Sequence, residues 1–291
     1  MPYFGLLNIN KPSGITSRDV VNHVQRIVRP AKAGHAGTLD PLASGVLVVC
    51  VGPATRLIDY VQQGAKRYRA TFLLGRQSDT EDIEGEVTVL ASAPAPTRDE
   101  IVRAAASFVG EIRQRPPAYS ALKVGGRRAY DLARAGKEVE LAERPVKVYS
   151  IDVLDYDYPS LSLDIRCGAG TYVRSLGRDL AASLGTAAVM SALVRTEVGS
   201  FRLEDACELE DIRGETLGDL LLPPRRAVAD LPVVILTADE IHRLSHGMPV
   251  RREGLTELAE AAGCDEGGEL MAILTAREGQ LWPSRNLGPR A

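Results

Sequence analysis

The sequence predicts an α+β protein whose strands form a largely antiparallel sheet, followed by a small β-rich module at the C-terminus. Strand patterns dominate, and helical patterns interrupt them at uneven intervals rather than in a regular strand–helix alternation. A Pro- and Arg-rich segment, 222–226, marks a boundary late in the chain. With 291 residues, the chain is long enough for one large domain and one small one.

Local signals define the elements in the first part of the chain. Thr16 followed by Asp19 is a capping-box pattern, and apolar residues on one helical face continue from it towards Pro30. Residues 46–51 form an unbroken apolar run, which is typical of a strand that is buried on both faces. The other elements predicted here are strands at 3–9 and 66–73 and a short helix at 54–61.

The middle of the chain continues with the same kinds of pattern. Thr97 and Glu100 open a second capped helix that runs towards Val109. A later helix at 171–184 ends at Gly185, a residue suited to the left-handed conformation that often follows a helix. Strands are predicted at 146–156 and 161–167. We therefore expect a first domain at 1–228, with an insertion at about 113–147, and a second domain at 229–291.

Charge is distributed unevenly along the chain. The formal net charge is −3, from 35 basic and 38 acidic residues, which by itself indicates no nucleic-acid partner. Between Arg113 and Lys147, however, nine basic side chains stand against four acidic ones, with Tyr119 and Tyr130 among them. Such a segment suits a surface that follows phosphates and stacks on a base, although a solvated amphipathic helix has the same composition.

Composition argues against a secreted, disulfide-bonded or membrane protein. The four cysteines are scattered and form no C-x-x-C pair. No apolar stretch approaches the roughly 20 residues of a membrane helix, and the N-terminus lacks the basic and apolar regions of a signal peptide. We therefore expect a cytoplasmic protein with reduced cysteines.

The loop 34–45 is the first candidate for a functional site. Its glycines permit positive φ and a close approach of the backbone to a ligand. Pro41 disfavours the α region for Asp40, so the carboxylate lies on an extended piece of chain just before a buried strand. This is one way to present a nucleophile or general base, but an Asp-Pro turn that merely links two elements has the same pattern. His35 is likewise an ordinary turn residue by type alone.

Six motifs occur in an order that is more specific than any one of them. They are NKPSGITS (10–17), GHAGTLDPLASGVL (34–47), KRYR (66–69), GRQSDTED (75–82), YSALK with GGRRAY (119–123 and 125–130) and GTYVR (170–174). In this order they resemble the TruB family of tRNA pseudouridine synthases. The resemblance covers about the first 200 residues, and the pattern at 244–250 is similar to the small PUA-like RNA-binding module of many members.

The resemblance implies an enzyme that converts uridine 55 in the T-loop of tRNA into pseudouridine. It implies that Asp40 is the catalytic carboxylate, that Arg174 pairs with it, and that Tyr68 stacks on the flipped uracil and handles a proton at C5. By residue type alone, Arg174 is equally an ordinary helix-surface arginine and Tyr68 a half-buried strand tyrosine. No metal, nucleotide or redox cofactor is implied, and the sequence contains neither a P-loop nor a Rossmann fingerprint.

The resemblance also implies a set of tRNA contacts. His35 matches the residue that fills the space left by the flipped base, and Tyr172 and Leu193 match positions that line the substrate pocket, although both are also ordinary core residues by type. Lys11 matches a position that braces the catalytic loop, with a phosphate contact as the alternative. The basic insertion supplies the remaining predicted tRNA contacts, Lys123, Arg127 and Arg128.

The fold implied by the family is a pseudouridine-synthase catalytic domain, with a mainly antiparallel mixed sheet flanked by helices, plus a PUA-like C-terminal domain. One departure is visible: the chain reads Leu193-Val194-Arg195-Thr196 where members commonly have two arginines in succession, so one basic contact is missing. We expect a monomer that binds tRNA, needs no protein partner and does not associate with a membrane.

Three alternative functions remain open at this point. A non-catalytic tRNA-binding or folding factor would keep the scaffold, but the complete set of Asp40, Tyr68 and Arg174 argues against it. A guide-RNA-dependent synthase is a nearer alternative. A hydrolase would need a different carboxylate pattern, either Asp-x-Asp or a second positioned carboxylate, for which Asp82 is a candidate only in principle. His242 and His246 are four residues apart but have no third ligand, which favours a surface helix over a metal site.

Overall fold

The computed structural model describes residues 3–119, 123–124, 127–128, 141–252 and 258–288. Six α-helices lie in these ranges: α1 (Ser17–Val28), α2 (Ile58–Gln63), α3 (Arg98–Ser107), α4 (Val173–Ser183), α5 (Leu217–Leu220) and α6 (Ala238–Ser245). A 3-10 helix at Gly52–Leu57 leads directly into α2. In the part of the chain that is described, no helix is long and apolar enough to span a bilayer.

The described residues in the first part of the chain contain fourteen strands, β1 to β14. They are β1 (Gly5–Lys11), β2 (Ala33–His35), β3 (Ser44–Val51), β4 (Lys66–Leu74), β5 (Arg76–Gln77), β6 (Thr88–Val89), β7 (Gly110–Gln114), β8 (Lys123–Val124), β9 (Arg127–Arg128), β10 (Arg144–Asp157), β11 (Ser160–Cys167), β12 (Ala188–Val198), β13 (Phe201–Arg202) and β14 (Cys207–Glu208). The C-terminal part adds β15 (Val233–Ile235), β16 (Val250–Arg251), β17 (Leu258–Cys264), β18 (Leu270–Arg277) and β19 (Gln280–Asn286).

Ten of these strands form one large sheet. Eight of them follow the order β14-β1-β3-β12-β4-β11-β10-β7; in addition, β2 pairs with β3 and β13 pairs with β12. Only the pairs β1–β14 and β3–β12 are parallel, so the predicted mainly antiparallel mixed sheet is confirmed. The sequence patterns did not predict β12, which lies at the centre of the sheet. Its charged residues at positions 195 and 197 break the apolar run that usually identifies a central strand.

The helix starts that were predicted from capping patterns are confirmed. The Thr16 side chain accepts a hydrogen bond from the Asp19 backbone N–H, and the Asp19 carboxylate accepts one from the Thr16 backbone. Thr97 and Glu100 form the same reciprocal pair at the start of α3. Because each pair satisfies N–H groups that the first helical turn leaves unbonded, these four residues fix where the two helices begin.

The strand β3 is buried on both faces, as its apolar sequence predicted. Leu47 and Val49 pack in the main core with α1 residues such as Val20. Val46 and Val48, on the opposite face, belong to a second cluster that includes Ala262 and Ile273 of the C-terminal sheet. The two sheets therefore share a layer of side chains, and β3, the strand that follows the loop 36–43, runs through the middle of it.

The C-terminal part is a small sheet of five strands in the order β15-β17-β18-β19-β16, with α6 packed beside it. Its strands are antiparallel except for the β15–β17 pair. The predicted β-rich module is thus confirmed. The division between 228 and 229 stays a prediction, as do the limits of the insertion, of which the structure describes β7, the β8–β9 hairpin and the first residues of β10.

Candidate active site

The loop between β2 and β3 presents Asp40 and is held on both sides. Ser17, the first residue of α1, accepts a hydrogen bond from the Leu39 backbone N–H at 2.9 Å and donates one to the Leu39 carbonyl at 3.0 Å. The Gly14 N–H donates to the Pro41 carbonyl at 2.8 Å. Asp40 therefore lies between two anchored neighbours, which limits the directions its carboxylate can take.

Arg174 on α4 bridges two carboxylates. Its Nη2 lies 3.0 Å from Asp40 Oδ2, and its Nη1 lies 3.2 Å from Asp82 Oδ2. The guanidinium also donates to the carbonyls of Thr80 at 3.0 Å and Tyr119 at 3.2 Å. Arg174 is 7% exposed, so its charge is held in a nearly dry environment where these contacts fix its orientation.

The two carboxylates differ in exposure. The side chain of Asp82 is 2% exposed, whereas that of Asp40 is 37% exposed. Protein atoms nevertheless surround the Asp40 carboxyl closely enough that desolvation raises its pKa above the usual range. The Arg174 charge opposes this rise, Asp82 adds to it, and Lys11 opposes it again. Asp40 is thus a carboxylate of increased basicity beside a fixed cation.

Lys11 is completely buried at the end of β1. Its ammonium donates to the carbonyls of Pro12 at 2.8 Å and Ile15 at 2.7 Å, which closes the turn that leads to α1. Desolvation lowers the pKa of Lys11 to about 8, and the negative charge of Asp40 partly opposes this effect. This burial favours the bracing role over a contact with phosphate.

Tyr68 and Leu193 lie on the neighbouring strands β4 and β12. Tyr68 is 8% exposed, and burial raises the pKa of its hydroxyl; Asp40 is near enough to add to that rise. Leu193 is 7% exposed and pairs with Ala70, two residues from Tyr68 and on the same face of β4. The sheet thus places an aromatic ring and an aliphatic side chain side by side near the loop that carries Asp40.

His35 and Tyr172 lie at the edges of the site. His35 ends β2 at the start of the loop, and burial together with the charges of Arg18 and Arg195 lowers its pKa, which keeps the imidazole neutral at neutral pH. Tyr172 immediately precedes α4, and its backbone forms two hydrogen bonds with the Gln114 side chain, at 2.9 and 3.0 Å. The Arg144 guanidinium lies 5.3 Å from the centre of the Tyr172 ring.

The structure therefore brings Asp40 and Arg174 into direct contact, with Lys11 and Tyr68 near enough to interact electrostatically with Asp40. Leu193 lies on the strand next to that of Tyr68, and His35 begins the loop that carries Asp40. Lys123, Arg127 and Arg128 lie apart from this group in sequence, on the β8–β9 hairpin, where Lys123 pairs with Arg128. Their side chains lie outside the described part of the chain. Among the residues that are described, no group of three His, Cys, Asp or Glu side chains is arranged to hold a metal ion.

Two site residues were not assigned from the sequence. Asp82 was considered only as a hydrolase carboxylate, although it ends a motif already matched to the family and binds the same arginine as Asp40. From the sequence, Arg195 was noted only because Val194 replaces the arginine that commonly precedes it in the family. Its side chain nevertheless lies on β12 and is 2% exposed. The period of two along a strand puts Arg195 on the same face as Leu193, a signal that could have identified an inward-facing arginine.

The raised pKa of Asp40 predicts a cost in stability at neutral pH. A group whose pKa is raised by folding stabilises the protein below its unfolded-state pKa, and this contribution is lost as pH rises through the folded-state value. Asp40→Asn is therefore expected to raise the melting temperature near neutral pH by on the order of a degree or two. The gain should disappear in acid, where the wild-type carboxyl is protonated.

Thermal melts across about pH 4 to pH 8 would measure this difference. Asp152→Asn, at an exposed position of β10, is the matched control and should leave the melting temperature unchanged. A lower melting temperature for Asp40→Asn at neutral pH would mean that the contact with Arg174 outweighs the cost of desolvation.

Comparison with known proteins relates this arrangement to one family. The model described as TruB family pseudouridylate synthase (N terminal domain) matches residues 25–173. The protein named tRNA pseudouridine synthase B of Moorella thermoacetica is 42% identical over 286 residues, which cover 95% of this chain and 92% of that protein. The protein of the same name from Gluconacetobacter diazotrophicus is 45% identical over 300 residues, covering 98% of both chains.

Solved structures show the same fold. A chain from a crystal structure of a Cbf5-Nop10-Gar1 complex superposes with a TM-score of 0.76 at 29% sequence identity. The match covers 99% of this chain and 86% of that one. The similarity therefore extends through both sheets, including the small C-terminal one.

Proposed function

The chain belongs to the TruB family of pseudouridylate synthases, and we propose that it isomerises uridine 55 in the T-loop of tRNA, with Asp40 as the catalytic carboxylate. The enzyme is an isomerase that makes pseudouridine in tRNA. The observation that carries the proposal for Asp40 is its 3.0 Å contact with the nearly buried Arg174, on a loop anchored at both sides. A fixed cation keeps this carboxylate ionised despite the desolvation that raises its pKa.

The reaction exchanges one bond to the ribose for another. The bond between N1 of uracil and C1′ breaks, the base rotates, and a bond forms between C5 and C1′, after which the proton on C5 leaves and N1 gains one. Asp40 acts at the sugar, where a carboxylate can attack C1′, stabilise positive charge there or abstract the proton from C2′. In this proposal the ring of Tyr68 stacks on the detached uracil, and its hydroxyl takes or gives the proton at C5.

The target base must leave its loop before any of this chemistry starts. Extruding a base costs a few kcal/mol, which contacts in the vacated space and in the pocket must offset. In this proposal neutral His35 fills the vacated space, while Tyr172 and Leu193 line the pocket. Lys123, Arg127 and Arg128 contact tRNA phosphates, and binding through them weakens as salt rises because releasing counterions into a more concentrated solution gains less free energy.

The two-domain division at 228 and 229 is part of the proposal, with the C-terminal sheet as a second RNA-binding surface. We also propose that the enzyme works in the cytoplasm as a monomer and requires no cofactor or protein partner. The similarity to a protein solved with Nop10 and Gar1 favours one competing function, a synthase that depends on a guide RNA and partner proteins. The two functions differ in what must be added to the assay.

Mass-spectrometric mapping of pseudouridine in an unmodified tRNA transcript tests the proposed function. The purified chain alone, in the presence of a chelator, is expected to convert uridine 55 completely and no other position. A transcript with cytidine at that position is the matched control and should stay unmodified. Pseudouridine at another position would refute the assigned site, and activity only after a guide RNA is added would establish the competing function.

A further inference from the structure

Arg195 carries a buried charge that the proposed reaction does not use directly. It is the bulkiest of the fully buried side chains in the described ranges, at 2% exposure. No carboxylate among the described residues lies within ion-pair distance of its guanidinium. Burying a cation without a carboxylate is costly unless hydrogen bonds replace the lost water. The partners that Arg195 has instead therefore indicate what the charge is for.

The Arg195 guanidinium donates hydrogen bonds to three backbone carbonyls that flank Asp40. Nε donates to Val46 at 2.7 Å, Nη2 to Gly37 at 3.2 Å and Nη1 to Thr38 at 3.4 Å. Gly37 and Thr38 precede the catalytic residue and Val46 follows it. One planar group thus ties the beginning of the loop to the strand into which the loop runs.

The backbone of β12 also approaches the loop closely at Gly45. This glycine has a φ of +98°, and a Cβ there would lie 2.3 Å from the Arg195 carbonyl oxygen. A side chain at position 45 would push β12 and the loop apart. The pairing of Arg195 with Gly45 therefore requires a glycine at position 45. The Arg195 guanidinium adds hydrogen bonds to residues on either side of Asp40.

Arg195 also faces the second proposed catalytic group. It pairs with Tyr68 across β4 and β12. Burial raises the pKa of the Tyr68 hydroxyl, and the nearby Arg195 charge opposes this rise. The same side chain therefore meets the loop of Asp40 on one side and Tyr68 on the other.

We propose that Arg195 is a positioning residue that holds the Asp40 loop in register with Tyr68. The inference rests on the proposed function of the Asp40 site. A lysine keeps the positive charge but carries its donors at a single point, so it cannot span three carbonyls as the planar guanidinium does. We therefore expect the loop to be released by the loss of the planar set of donors, even though the positive charge is kept.

Arg195→Lys tests the proposal, with Arg225→Lys as the matched control. The Arg225 guanidinium also binds three backbone carbonyls, those of Val228, Ala229 and Leu231, but it lies in the segment between the two sheets. Three quantities are measured for both variants below their melting temperatures: the single-turnover rate, the dissociation constant for tRNA and the hydrogen exchange of the backbone amides at 36–40, 42 and 43. Arg195→Lys is expected to lower the rate about 100-fold and speed exchange in the loop, with tRNA affinity changed by less than about threefold.

Each other outcome is decisive. Equal rates for the two variants, or a loss of tRNA affinity as large as the loss of rate, would overturn the positioning role. Failure of Arg195→Lys to fold where Arg225→Lys folds would assign Arg195 to folding instead and overturn it too. If the wild-type chain made no pseudouridine, the proposed function would fail by itself, and unchanged loop exchange in Arg195→Lys would separately refute the positioning role.

Discussion

Asp40→Asn is expected to lower the single-turnover rate of pseudouridine formation by roughly 10⁴-fold or more, while tRNA binding stays within about tenfold of the wild type. Asparagine has nearly the same shape as aspartate, so the loop and its contacts with Ser17 and Gly14 should persist. It carries no negative charge, however, and can neither attack C1′ nor accept a proton there. Rates are measured with excess enzyme on a tRNA transcript, and affinity by filter binding.

Asp152→Asn serves as the control for the activity measurement as well. The side chain is exposed on β10, and the substitution should change neither rate nor affinity. Asp40→Glu adds a second comparison, because it keeps the charge but moves it by about one methylene. It should lose roughly 100-fold in rate, since a misplacement of about 1 Å has that effect in other active sites. An Asp40→Asn rate within tenfold of the wild type would remove Asp40 from the mechanism.

Arg174→Met is expected to reduce both stability and activity. The substitution leaves Asp82, which is 2% exposed, without the guanidinium that binds it. Breaking one side of a buried ion pair costs about 3–5 kcal/mol in the free energy of unfolding, because the other charge stays buried. The rate should also fall, by about 10³-fold, because the pKa of Asp40 rises further once the opposing cation is gone. Chemical denaturation and single-turnover kinetics measure the two effects.

The double variant Arg174→Met/Asp82→Asn separates the two effects. Neutralising Asp82 should recover most of the lost stability, whereas the rate should stay low because Asp40 still lacks its cation. Recovery of the rate together with stability would mean that Arg174 acts only through folding.

Arg67→Met is the matched control for this prediction. Arg67 lies next to Tyr68 in sequence but on the opposite face of β4, and its Nε lies 2.6 Å from Asp164, which is 6% exposed. Removing it also leaves a buried carboxylate without its nearest cation, although Arg69 lies 3.9 Å away on the same side. Stability should therefore fall less than in Arg174→Met, and the rate should not change.

Features that depend on neighbouring residues could be predicted from the sequence. The two capping boxes join residues three positions apart, and their hydrogen bonds form wherever the first turn of a helix forms. The apolar run 46–51 predicted a strand buried on both faces because every position in it is hydrophobic. The Asp-Pro loop before it was open to two interpretations, and only the order of six motifs favoured the catalytic one.

Features that depend on long-range packing could not be predicted in the same way. The central strand β12 was missed because Arg195 and Glu197 interrupt its apolar pattern, and only the tertiary structure supplies the carbonyls that compensate the buried Arg195. Lys11 was compatible with a phosphate contact until its complete burial became visible. In both cases the charged residue type suggests a position on the surface. Backbone carbonyls that folding brings close to the side chain accept its hydrogen bonds and offset the cost of removing its charge from water.

The sequence by itself determined the family, the mainly antiparallel fold and the carboxylate on which the proposed chemistry depends, because these follow from residue order and local pattern. Only the tertiary structure decided how that carboxylate is held: one arginine bridges Asp40 to Asp82, and another ties the loop to the centre of the sheet. The reason is physical. The pKa of Asp40 and the direction of its side chain depend on desolvation and on charges brought close by folding, and neither is encoded by the residues adjacent to it in the chain.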